Sequence, residues 1–71
     1  MDRITIIPGL RSGRPTVRGL RITVAEVLEM LGSGMSEADI LEAFPALEAA
    51  DIKAVLTYAA RAFDHPVVTA P

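Results

Sequence analysis

The chain has 71 residues, 51% of them apolar, no cysteine, and a net charge of −2. That length supports one domain, and a domain this small is only marginally stable without good packing or association. The missing cysteines exclude a disulfide framework and a cysteine metal site, and fit a cytoplasmic location. No apolar run approaches the roughly 20 residues needed to cross a bilayer, so no membrane partner is expected.

Charge is distributed unevenly. Residues 1–21 hold Arg3, Arg11, Arg14, Arg18 and Arg21 against Asp2, a net of +4. Residues 22–71 hold Lys53 and Arg61 against eight carboxylates, a net of −6. A basic head on an acidic body suggests two surfaces, of which the basic one can meet phosphate. The alternative is a solvated strand edge guarded by charge.

The head reads as β. Arg3-Ile4-Thr5-Ile6-Ile7 is a β-branched run ended by Pro8-Gly9, and Pro15-Thr16-Val17-Arg18 is a second run broken by Gly19. Two short runs around a glycine-containing loop predict a hairpin or a strand pair, which must pack on something to persist.

Three helices follow. Thr23-Val24-Ala25-Glu26 has the form of a capping box, with Ile22 and Val27 placed as a hydrophobic staple. Val24, Val27, Leu28 and Leu31 then share one face, and Gly32 and Gly34 supply the stop. Ser36-Glu37-Ala38-Asp39 is a weaker capping box, Met35 and Ile40 its staple, and Ile40, Leu41 and Phe44 its buried face. Pro45 ends that helix at Phe44. The third helix runs from about Glu48, a poor N-cap residue, to Phe63, with Ile52, Val55, Leu56, Ala59 and Phe63 on the helical period. Asp64-His65-Pro66 ends it.

The fold expected is mainly α: a short N-terminal β-hairpin or strand pair followed by a three-helix bundle of helix-turn-helix outline. It forms a single domain over residues 1–71, with a basic β segment at 1–21, a helical body at 22–65 and a frayed tail at 66–71.

No catalytic constellation emerges, and the chain is not expected to be an enzyme. His65, the sole histidine, stands at a helix end, where it serves the last carbonyls. The carboxylates sit at helix starts and on exposed faces, without a histidine at metal-ligand spacing, so neither a metal nor a cofactor is expected. Gly9-Leu10-Arg11-Ser12-Gly13 lacks the Gly-Lys-Ser/Thr ending of a phosphate loop. The third helix opens with Glu48 and Asp51, which disfavours its docking in a major groove. The better candidates for DNA contact are Arg14, Arg18 and Arg21, acting from a strand or arm. The competing structural reading pairs Arg18 and Arg21 with carboxylates of the body, Glu26 or Glu29, and makes Arg21 the leading structural residue.

Gly13-Arg14-Pro15-Thr16-Val17-Arg18-Gly19-Leu20-Arg21-Ile22-Thr23-Val24 resembles a Gly-Lys-Pro-x-Ile-Arg-Gly-Thr-Arg-Ile-x-Val signature. The likeness continues through Leu31–Ser36, Ile40–Leu47, Asp51-Ile52 and Leu56–Ala59. The family resembled is the small bacterial domain-of-unknown-function family 433. The resemblance implies a homeodomain-like helix-turn-helix body and a homodimer. It further implies an antitoxin of a type II toxin–antitoxin pair that neutralises a PIN-like ribonuclease toxin and binds its own operator DNA. Arg61 and Phe63 are the expected partner contacts, since no long C-terminal extension wraps the toxin. Leu20 stands where the family usually has Thr, and Glu48 where a capping Thr is common. The second function class is a protein-only dimerising adaptor or inhibitor that does not touch DNA.

Overall fold

The computed structural model describes residues 3–64, and its elements follow from local rules. β1 (Ile4–Thr5) and β2 (Thr16–Val17) pair antiparallel, with Ile4 opposite Val17 and Thr5 opposite Thr16. The strands are shorter than the β-branched runs. Past Thr5 the chain leaves the ladder, and Ile6 and Ile7 stand 61% and 41% exposed. Thr16 is fully buried and its hydroxyl is satisfied, donating to the Thr5 carbonyl at 3.3 Å.

Between the strands, Arg11, Ser12 and Gly13 take positive φ values of 49°, 60° and 76° and form one tight turn. After β2 the chain reverses through Arg18 and Gly19, at φ 47° and 70°, closed by Leu20 N–H to the Val17 carbonyl at 2.8 Å. Two consecutive positive φ values match the right-handed twist of paired strands. The returning segment lies beside β2: Thr16 bridges Thr23, and Val17 N–H donates to the Ile22 carbonyl at 3.0 Å. β2 is therefore bonded on one side to β1 and on the other to the entrance of the first helix.

α1 (Val24–Gly32) carries the expected capping box: Glu26 N–H donates to Thr23 Oγ1 at 3.0 Å, and Thr23 N–H to Glu26 Oε1 at 2.9 Å. It ends in a Schellman arrangement. Met35 N–H reaches the Met30 carbonyl and Gly34 N–H the Leu31 carbonyl, both at 3.1 Å, with Gly34 at φ 100°. Gly34 is thus the stop, and Gly32 is the last helical residue. α2 (Glu37–Ala43) is capped by Ser36 and Asp39 as expected and gives way at Phe44, before Pro45. α3 (Ala49–Ala62) follows a five-residue link.

All three helices touch one another, and α3 also packs against β1. The core is Ile4, Val17, Val24, Val27, Ile40, Leu47, Ile52 and Val55. Within the described residues this is the expected architecture: a two-stranded antiparallel sheet followed by three helices. The expectations for His65 and the 66–71 tail fall outside those residues. No described helix is long and apolar enough to cross a membrane.

One face differs from expectation. Leu56 is 46% and Phe63 71% exposed, although both share the helical period of Ile52. The buried side of α3 is Asp51, Ile52 and Val55. Asp51 and Leu56 stand about 140° apart around a helix, on opposite flanks of Ile52. Turning the helix to bury Asp51 therefore brings Leu56 to the rim. Replacing Ile52 by Ala is expected to cost about 2–5 kcal/mol in urea unfolding. Replacing Leu56 by Ala is expected to cost under about 1 kcal/mol. Equal losses at the two positions would contradict this orientation of α3.

Candidate functional site: the arginine head and the start of α3

Asp51 is the third helical residue of α3, and its carboxylate is fully buried. An unpaired charge in that position would be strongly destabilising. Asp51 Oδ1 accepts from Arg3 Nη1 at 2.8 Å and from Arg18 Nε at 3.0 Å. Its Oδ2 accepts from Arg18 Nη2 at 2.9 Å and from Glu48 N–H at 2.8 Å. Arg18 thus grips Asp51 through both carboxylate oxygens, the planar fork geometry that favours arginine over lysine.

The two arginines reach further. Arg18 Nη2 donates to the Ala46 carbonyl at 2.6 Å, in the link before α3, and Arg3 Nη1 donates to Glu48 Oε1 at 2.8 Å. The weakly capped start of α3 is therefore completed from outside: Asp51 satisfies Glu48 N–H, and the head arginines hold both acids. Arg18 does this from a left-handed backbone (φ 47°), a conformation costing a non-glycine residue roughly 1–2 kcal/mol.

Hydrogen bonds from Arg18, then from Arg3 and the Glu48 amide, outweigh burial and lower the Asp51 carboxyl to about 2. The hydrogen bonds it donates to Asp51 raise the Arg18 guanidinium above its ordinary value, and those donated to Glu48 and then to Asp51 do the same for Arg3.

A second clamp repeats the device. Arg11 Nη1 lies 3.1 Å from Glu26 Oε1, the acid of the α1 capping box, and donates to the Arg21 carbonyl at 2.8 Å. The Thr23 amide, chiefly, lowers the Glu26 carboxyl. In both clamps a head arginine binds the acid at the third position of a helix.

These contacts sort the sequence candidates. Of Arg14, Arg18 and Arg21, Arg18 is tied into the fold, whereas Arg14 and Arg21 are exposed and form no ion pair among the described residues. The partner of Arg18 is Asp51, not Glu26 or Glu29, and Arg18 rather than Arg21 is the structural member. Glu26 takes Arg11 instead. The carboxylates expected to repel DNA at the start of α3 are also altered: Asp51 faces inward, and both acids are matched by arginines. Arg61 is exposed without an ion pair among the described residues, and Phe63 is exposed at the end of α3.

Sequence reasoning missed Arg3 and Asp51 as a unit. The available signal was the spacing Glu48-x-x-Asp51, which places a carboxylate within reach of an N-cap amide.

Two grooves flank this frame. One, of about 620 Å³, has Arg21 and Glu29 on its rim and half-buried Ile22, Met30 and Phe44 beneath. The other, of about 530 Å³, is bounded by Ile4, Ile6, Tyr58, Arg61 and Ala62. No group of three or more His, Asp or Glu among the described residues is placed to hold a metal ion.

The Asp51 carboxylate gives stability a defined pH dependence. Its folded value lies below its unfolded value near 3.9, so its contribution is complete above about pH 5 and is lost as pH falls toward 2. Wild type is expected to lose on the order of 2 kcal/mol more than Asp51→Asn over that interval. Parallel acid titrations of unfolding free energy, which cancel the other carboxylates, measure this, and superimposable slopes would refute it. Arg18→Ala is expected to lower the unfolding midpoint at neutral pH, which makes it unsuitable as a DNA-contact variant.

Comparison with known proteins agrees with this architecture. The family described as "Protein of unknown function (DUF433)" matches residues 4–59. "Uncharacterized protein y4eO" of Sinorhizobium fredii is 38% identical over 56 residues, 79% of this chain but only 25% of that protein. The chain thus spans about a quarter of the curated relative's length. A crystal structure of a DUF433 member from Anabaena variabilis superimposes with a TM-score of 0.82 at 28% identity, over 86% of this chain and 60% of that one. With its family model running from Ile4 in the head to the body of α3, the chain belongs to the DUF433 family of proteins of unknown function.

Proposed function

We propose that the protein is the antitoxin of a type II toxin–antitoxin pair. In this reading it is a cytoplasmic homodimer that neutralises a PIN-like ribonuclease toxin on one face and binds its own operator DNA on another, as an autorepressor. The observation carrying the DNA arm is the division of labour among the head arginines. Arg3, Arg11 and Arg18 hold the frame, and Arg14 and Arg21 remain exposed beside it without ion pairs among the described residues. Pairing Asp51 and Glu48 with arginines also removes net negative charge from the start of α3, the helix that a helix-turn-helix outline presents to DNA. Fold alone does not assign the activity, since function resides in sites.

One observation favours the protein-only alternative, an adaptor or inhibitor with no DNA contact: three of the five head arginines serve intramolecular pairs. Anisotropy titration against the gene's own upstream DNA, at low and near-physiological salt, separates the two. Wild type is expected to bind saturably and to weaken steeply with salt. Arg14→Ala with Arg21→Ala is expected to weaken binding and to flatten the logarithmic salt slope by about 0.9 per lost phosphate contact, with an unchanged unfolding midpoint. No binding by wild type at low salt, alone or with its toxin, would leave the protein-only inhibitor.

A further inference from the structure

The groove between β1 and the end of α3 has an apolar centre and a charged flank. Ile4, Tyr58 and Ala62 line it, and Ile6 stands on it 61% exposed, just past the last ladder residue. A β-branched side chain so exposed, next to an apolar depression, is surface that association would cover. Arg61 borders the groove, and Asp64 follows three residues on, its amide bonded to the Arg61 carbonyl at 3.2 Å. Both are exposed, and neither forms an ion pair among the described residues.

One cation and one anion at the same helix end, beside one apolar projection and one apolar depression, make a self-complementary set. A two-fold axis through such a surface places each cation against the other copy's anion, and each projection against the other copy's depression. We infer that a second copy of this chain docks on this groove: Ile6 of each copy enters the groove of the other, and Arg61 of each pairs with Asp64 of the other. The inference rests on the dimer proposed above and supplies its interface; it does not depend on DNA or toxin binding. A standard interface buries about 800 Å² per partner, roughly a sixth of this chain's 4917 Å².

Sedimentation equilibrium of the full chain, without DNA or toxin, tests it. Wild type is expected to pass from 7.6 kDa toward twice that mass with rising concentration. Ile6→Asp is expected to stay monomeric, with helical circular dichroism intact because its side chain is already exposed. Arg61→Asp sets like charges together and is expected to stay monomeric. Combining Arg61→Asp with Asp64→Arg restores the opposite-charge pairing and is expected to restore the dimer. Rescue by the double exchange is the outcome a merely structural role for Arg61 does not produce. A wild type monomeric at all concentrations overturns the inference, as does a dimer indifferent to these changes. So does a monomer that forms a one-to-one complex with its toxin which Arg61→Asp breaks, because the groove then belongs to the toxin. A monomer that still binds operator DNA overturns the interface alone and leaves the DNA reading in place.

Discussion

One buried carboxylate ties the head to the body. Asp51 accepts four hydrogen bonds, three of them from two arginines that stand 48 and 33 residues earlier in the chain. A charge buried without these partners would cost several kcal/mol, so head and helices form together or not at all. The same contacts set the rotation of α3, complete its capping and justify the left-handed backbone at Arg18. Removing Asp51 leaves Arg18 without its ion pair and the Glu48 amide without its acceptor, which makes the cluster a unit rather than a sum of ion pairs.

The Arg11–Glu26 clamp repeats the arrangement at a second helix start, whereas Asp39, at the same position of α2, has no ion pair among the described residues. A helix start offers free amides and a positive dipole end, and an acid at its third position answers both. The acid then remains charged and points out of the helix start, where a cation from another element can bind it. The head thus gathers its arginines because the body offers acids at helix starts. Charge segregation along the sequence, +4 against −6, resolves in part into contacts across the fold, through Arg3, Arg11 and Arg18.

Local rules were legible in the sequence. Thr23–Glu26, Ser36–Asp39 and Pro45 mark helix boundaries through nearest-neighbour chemistry, and the helices fall where those signals place them. The strand pair was also legible, though its length was overstated, because β-branched composition does not reveal where a ladder loses its partner. The tertiary partner of Arg18 was not legible. Glu26 and Glu29 lie close in sequence and made the natural choice, whereas Asp51 becomes available only once α3 folds back across the head. Leu56 failed for the same reason. Apolar periodicity centres the helix on hydrocarbon, and it cannot register a buried acid that rotates the helix toward itself. For the candidate site, the exposed Arg14 and Arg21 were in view from the start, but their separation from Arg18 required the three-dimensional pairing.

The span of that pairing bears on how the chain comes off the ribosome. The strand pair and the entrance of α1 emerge before α3, with Arg3 and Arg18 still lacking Asp51. Asp51 follows only after α1, α2 and the link have been made. Until the opening turns of α3 clear the exit tunnel, Arg3 and Arg18 have no Asp51 to close on, and a two-stranded ribbon does not hold by itself. The nascent protein therefore cannot lock its N-terminal half in advance. It folds in one late, cooperative event, and the same coupling makes its loss all-or-none: once the start of α3 opens, the head is released with it.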